Sequence, residues 1–150
     1  MKVGDGMDAK QFLRQAEKLD AKIRNKMIER QQWRDMALGI TANMGGERVQ
    51  SSSTSKSKMA DALDKCVDME PEIDALIDEL IDTKREIIRT IELVDSPTEY
   101  NVLHMRYIQY KGFKEIAAHY GKEYNWVTTC HGRALESVQA ILDAKVCDCV

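Results

Sequence analysis

The chain has 150 residues, 43% hydrophobic and 31% charged, with two prolines, eight glycines and a net charge of −3. That composition fits one ordinary globular domain, or a small domain with an extended appendage, and excludes disordered and collagen-like chains. Aromatic residues make up 6% and β-branched runs are scarce, which argues against a large sheet, and no apolar stretch approaches the ~20 residues that span a bilayer. The opening MKVGDGMDAKQ has no apolar signal core, so a cytoplasmic protein is expected.

The charge is uneven. Residues 1–48 carry ten Lys and Arg against seven acids, residues 49–96 carry six against twelve, and residues 97–150 carry six of each. The chain is not a basic polyelectrolyte, so a nucleic-acid partner must be argued from a local motif.

Residues 8–38 read as a helix, with Phe12, Ala16, Leu19, Ile23, Met27 and Trp33 recurring at three- and four-residue steps. Gly39 is the expected stop. From Gly39 to Ser57 periodicity is lost through Gly45-Gly46 and Ser51-Ser52-Ser53, which predicts a flexible connection over about 39–57.

A second helix is expected over 58–94. Its stripe is Leu63, Cys66, Ile73, Ile77, Leu80, Ile87, Ile91 and Val94, widened by Leu76, Ile81 and Ile88. Pro71 predicts a kink or a restart near Glu70. The two striped helices suggest a long, coiled-coil-like antiparallel hairpin over residues 1–95. The repeat of about 3.5 residues points to self-association, with a dimer favoured. The acidic run Asp74, Asp78, Glu79, Asp82 and Glu86 reads as a solvated helix face rather than a metal site.

Ser96 and Pro97 suit the N-cap and first position of a new helix, and the domain boundary is placed there. Residues 96–150 then divide into three short helices. The first, about 98–109, turns Val102, Leu103, Tyr107 and Ile108 inward. The second, about 113–120, turns Phe113, Ile116, Ala117 and Tyr120 inward. The third runs from near Asn125 to about Ala144, with Val127, Ala134, Val138 and Ile141 inward. Ala117 permits close helix approach, and Gly121 sits where the chain reverses. This is helix-turn-helix arithmetic, and the third helix would present its N-terminal end to a DNA major groove. The expected fold class is therefore all-α: a long helical hairpin followed by a three-helix DNA-binding domain.

Leu103-His104-Met105-Arg106-Tyr107, Glu115-Ile116-Ala117, Gly121, Val127 and Arg133-Ala134-Leu135 resemble region four of bacterial sigma factors. The chain is also similar to small sigma-region-four-like transcriptional regulators of phages and prophages of Gram-positive bacteria, often of late genes. Val127, His131, Gly132, Ala134 and Leu135 match the third-helix pattern of that group. The motif spans about residues 100–140. The resemblance implies a sequence-specific double-stranded DNA binder in a bacterial host cell, with host RNA polymerase as a further partner and no membrane. Three positions depart from the pattern. Glu123 stands where Ser or Thr usually caps the third helix. Thr128, Thr129 and Cys130 stand where Lys or Arg are frequent. Tyr110 and Gly112 stand where Gly and Ser are common.

Given the motif, Asn125, Thr128 and Thr129 are expected to face DNA: Asn pairs with adenine, and Thr donates to phosphate or packs its methyl on thymine. Tyr124 is assigned to phosphate or a thymine methyl, and Trp126 either to DNA or to packing under the turn. Arg133 is assigned to phosphate. Lys111, Lys114 and Lys122 are phosphate clamps or solvated lysines. His131, usually leucine in sigma region four, is expected to pack half-buried. Arg106 is expected to pair with an acid such as Glu115 or to cap a helix. Gly132 in mid-helix costs ~1 kcal/mol against alanine, which close approach of DNA or another helix would explain.

No nucleophile elbow, phosphate-binding glycine loop or metal-binding histidine pair occurs, so neither catalysis nor a cofactor or metal is expected. Cys66, Cys130, Cys147 and Cys149 form neither a disulfide framework nor a zinc pattern and read as reduced thiols. Two other functions fit the same pattern. One is a small-terminase-like subunit that packages phage DNA. The other is a protein-interaction module contacting RNA polymerase.

Overall fold

The computed structural model describes residues 7–43 and 52–148. Among them the regular elements are all helical. They are α1 (Ala9–Leu13), α2 (Gln15–Asn43), α3 (Ser52–Ile91), α4 (Pro97–Leu103), a π-helical turn (His104–Ile108), α5 (Phe113–Tyr120) and α6 (Tyr124–Cys147). No helix among the described residues is long and apolar enough to cross a membrane.

Local chemistry sets several ends. Asp8 opens α1 with a reciprocal cap: its carboxylate accepts from the Gln11 N–H at 2.7 Å, and Gln11 Oε1 accepts from the Asp8 N–H at 3.3 Å. Backbone bonds then pass through Arg14, so α1 runs almost without a break into α2. Ser96 caps α4, with Pro97 in its first turn, as expected.

Two expectations fail, and of the kink or restart expected at Pro71 the restart does not occur. The first helix does not stop at Gly39 but reaches Asn43. Gly39 is not in the left-handed conformation that would end it, and glycine inside a helix costs only ~1 kcal/mol. Within the flexible connection predicted over 39–57, residues 39–43 and 52–57 are helical. Its Gly45-Gly46 and Ser51 lie outside the described residues. Pro71 does not restart α3, which is helical throughout Ser52–Ile91. Pro71 lies on the exposed side, and the helix bond it removes would have ended at Val67, which is itself exposed.

The chain folds as two compact units. One comprises residues up to Lys18 together with Leu80 onward, and the other comprises Leu19–Glu79. The boundary expected at residues 95/96 falls inside the first unit. In the Leu19–Glu79 unit, α2 and α3 run antiparallel. Lys26 Nζ meets Glu72 Oε2 at 3.1 Å, and Cys66 Sγ lies 3.5 Å from the Arg30 carbonyl oxygen. Ile23 and Ala37 of α2 are buried there, as are Ala62, Met69 and Ile73 of α3. Leu63, expected in the buried stripe, is exposed, and its neighbour Ala62 takes the inward place. Alanine is a weak periodicity signal, which put the expected stripe off by one residue at this end only, since Ile73, Ile87, Ile91 and Val94 are buried as expected.

The first unit holds two cores. One joins Phe12 and Leu13 of α1, Ile87 and Ile91 of α3, Leu103 and Tyr107, and Ala134, Val138 and Leu142 of α6. Polar ties accompany it: the Ala9 N–H donates to Gln139 Oε1 at 2.8 Å, Ser137 Oγ donates to Glu99 Oε2 at 2.9 Å, and Lys145 Nζ donates to Thr90 Oγ1 at 3.0 Å. The second core gathers Val102, Met105, Ile116, Ala117, Val127 and Cys130.

Phe12 is the test of this arrangement. Truncating a buried Phe costs about 3–5 kcal/mol. In a Trp33→Phe background, Trp126 fluorescence reports the first unit, and Phe12→Ala is expected to lower its urea-unfolding free energy by that amount. An unchanged midpoint would mean that residues 96–150 fold without α1.

Candidate nucleic-acid interface

The turn between α5 and α6 is built from three residues. Gly121 adopts φ 60° and ψ 35°, the left-handed conformation that glycine reaches without Cβ strain. Its N–H and that of Lys122 close back on α5, the latter onto the Ala117 carbonyl at 2.9 Å. Ile116 and Ala117 then share the second core with Val127 and Cys130, so the two helices are fixed against each other by small and β-branched side chains.

The chain leading into α5 is less ordinary. The π-helical turn ends with the Gln109 N–H on the His104 carbonyl and the Lys111 N–H on the Met105 carbonyl at 2.9 Å. Tyr110 is left-handed, with φ 58°. A non-glycine residue pays for that conformation, and this is the position at which the resemblance expects glycine. Arg106 spans the turn: Nη1 donates to the Lys111 carbonyl at 3.2 Å, and the guanidinium lies 4.6 Å from the Phe113 ring centroid. It ties down the loop between the turn and α5 rather than pairing with Glu115 or capping a helix, while Glu115 turns to the Gly112 N–H at 3.4 Å.

Behind this turn Tyr107 Oη and His131 Nε2 form a buried hydrogen bond of 2.7 Å, with the Phe113 ring edge-on to the imidazole at 4.9 Å. His131 is 8% exposed, more deeply placed than the half-buried packing expected. Burial pushes its pKa down to about 4, with Arg106 and Lys10 adding to the effect. Burial pushes the Tyr107 hydroxyl up to about 12, opposed by Arg106 and Arg14. Both groups are neutral at pH 7.

The outward face of α6 lies opposite Val127 and Ala134. Asn125, Thr129, Gly132, Arg133 and Glu136 are exposed on it, and Thr128 is half-buried. The hydroxyls of Thr128 and Thr129 both donate to the Asn125 carbonyl, at 2.9 and 2.8 Å. Their donors are thus turned onto their own helix, as threonines in helices often are. A Cβ built on Gly132 meets no atom within 4 Å, so no neighbour in the chain requires glycine there.

The other expected residues divide. Tyr124 is 49% exposed, its ring edge-on to Phe113 at 6.0 Å. Trp126 is half-buried against the second core, 5.3 Å from the Tyr120 ring. Of its two expected places, the ring takes the one under the turn. Lys114 and Lys122 are exposed and Lys111 is half-buried. Lys122 Nζ lies 6.0 Å from the Trp126 ring centroid. Glu123 precedes α6 without a side-chain capping bond, which leaves the first N–H groups of that helix for water or an anion. The exposed acids Glu115, Glu123 and Glu136 offset most of the charge of Lys111, Lys114, Lys122 and Arg133. Motif matching weighs each cation alone and passed over these acids. Among the described residues no group of three or more His, Cys, Asp or Glu is placed to hold a metal ion.

The buried histidine fixes a pH dependence. Its folded pKa of about 4 lies below the ordinary ~6.5 of an unfolded chain. The unfolded state therefore takes up the proton first, and stability falls as pH drops from ~6.5 toward ~4. Between pH 7 and pH 4.5 this group alone removes about 2–3 kcal/mol. The urea-unfolding free energy of His131→Leu is expected to fall by that much less than wild type over the same interval. Equal losses would place the imidazole in contact with water.

No family model, no curated protein and no solved structure matches the chain.

Proposed function

We propose that the chain binds duplex DNA without catalysis, as a phage-type transcriptional regulator in a bacterial host cell. In this reading the α2–α3 pair is a helical hairpin, α5 and α6 form the helix-turn-helix, and α6 enters the major groove. The observation that carries it is the two-sidedness of α6. Val127, Ala134, Val138 and Leu142 are buried in the two cores, while the opposite stripe stays open through Asn125, Thr129, Gly132 and Arg133. A rigid helix whose free side holds an amide, methyl groups, one guanidinium and a gap at Gly132 suits close approach to base edges. Lys114 and Lys122 flank it as phosphate contacts.

The nearly neutral surroundings favour a second reading, in which the same face docks on RNA polymerase. Four cations per chain neutralise few phosphates, so a monomer binds DNA weakly. A dimer doubles the count and imposes spaced half-sites. A ring of many subunits would instead match a DNA-packaging component.

Fluorescence anisotropy with a mixed-sequence duplex at about 50 and 200 mM salt tests the assignment. Four phosphate contacts predict a slope of log affinity on log salt of about −3 to −4 per chain. Thr128→Ala/Thr129→Ala/Arg133→Ala is expected to weaken binding at both salts. Equal affinities at low salt would remove α6 from the interface and favour the polymerase reading. Gly132→Ala is expected to stabilise α6 by ~1 kcal/mol yet to weaken DNA binding. A stabilised variant with unchanged affinity would mean that nothing approaches that glycine.

A further inference from the structure

In the Leu19–Glu79 unit, each helix carries a second row one residue beyond its inward row. On α2 the row runs Asp20, Arg24, Met27, Gln31, Arg34 and Leu38 at three- and four-residue steps; Asp20 is half-buried and lies 3.9 Å from Arg24, and the others are exposed. On α3, Leu63, Val67, Glu70 and Asp74 are exposed and Ile77 is half-buried, at the same steps. A step of one residue turns about 100° around a helix axis. Because α2 and α3 run in opposite directions, that step turns both rows to the same side of the pair. This side therefore presents one basic, apolar ridge beside one acidic, apolar ridge. Met27 and Leu38 are 44% and 59% exposed, and Leu63 and Val67 are 44% and 61% exposed. The imbalance extends beyond the ridges. Between residues 19 and 43 the chain has five cations and three acids, and between 52 and 79 it has three cations and eight acids.

We infer that this two-ridged side is the interface with a second copy of the chain, joined by a two-fold axis parallel to the helices. That operation keeps every residue at its level along the helices, so the register set by Lys26–Glu72 and Arg30–Cys66 brings Arg24 of each copy opposite Asp74 of the other, Met27 opposite Glu70 and Arg34 opposite Leu63, with Val67 beside them. It repeats the contact twice, as an isologous interface requires. A partner of one charge sign would match one ridge and be repelled by the other, whereas a second copy satisfies both. The inference deepens the dimer in the proposed function and rests on it. Its test reads association without DNA, so its failure would leave the DNA-binding experiment standing.

The test is sedimentation equilibrium of the full chain up to about 100 µM. Wild type is expected to dimerise, and raising the salt from about 50 to 500 mM should weaken the dimer several-fold. Arg24→Glu places acid against Asp74, and Asp74→Lys places base against Arg24. Each is expected to lower the association constant tenfold or more, with helicity unchanged by circular dichroism. Mixed in equal amounts, the two variants are expected to recover the association as a heterodimer, because both seams are then complementary again. A monomeric wild type, a salt-insensitive dimer, variants that still dimerise alone, or a mixture that stays monomeric would each overturn the interface.

Discussion

One stripe of α6 belongs to two cores at once. Val127 and Cys130 close the core shared with α5, and Ala134, Val138 and Leu142 close the core shared with α1 and the end of α3. A helix pinned at both ends of one stripe has no rotational freedom left, because turning it would open both cores together. Alanine at 134, fully buried, lets the neighbouring helices come close enough for this double contact. The stripe from Asn125 to Glu136 is therefore held outward by packing that none of its own residues supplies. That is how a face with few charges keeps a defined shape.

The approach to α5 shows what such rigidity costs. The chain accepts a left-handed Tyr110 and a π-helical turn, each less favourable locally than a regular α-helix ending in glycine. Two things offset this. Arg106 serves both the Lys111 carbonyl and the Phe113 ring. The Tyr107–His131 hydrogen bond fills with a satisfied polar pair the space that a leucine would fill with methyl groups. Because both partners stay neutral at physiological pH, the pair supplies direction without the desolvation penalty of a buried ion pair.

The sequence carried the parts of this fold that are local. Ser96-Pro97, Gly121 and the spacing of Val127, Ala134 and Val138 encode caps, a turn and a buried stripe within a few residues, and the structure places them as read. What periodicity does not encode is the partner of a stripe. Phe12 and Leu13 read as part of a hairpin, yet they close the core of the unit that holds α6, more than 120 residues away. Gly39 misled because glycine inside a helix is a modest free-energy cost, not a veto, and α3 continues through Pro71 although proline there costs ~3 kcal/mol. Trp126 was ambiguous for a different reason. An indole at a helix start serves a core or a ligand equally well, and only the Tyr120 ring beside it decides. The hydroxyls of Thr128 and Thr129 bond the Asn125 carbonyl one turn back, a local alternative that the motif does not encode.

The distribution of charge connects the two units functionally. A DNA binder that relied on electrostatic attraction would concentrate cations around α6, but Glu115, Glu123 and Glu136 cancel most of those present. Non-specific affinity is then low by construction, since it scales with the phosphates neutralised, and discrimination has to come from shape and base contact. Such a face binds usefully only when presented more than once. The strongest charge separation in the chain lies instead between the two long helices of the other unit, where it favours pairing with a like molecule over attraction to a polyanion. In the proposed reading, charge serves assembly and packing serves recognition. Duplex affinity should then depend on protein concentration more steeply than one-to-one binding allows, with the steepness vanishing in any variant that no longer self-associates.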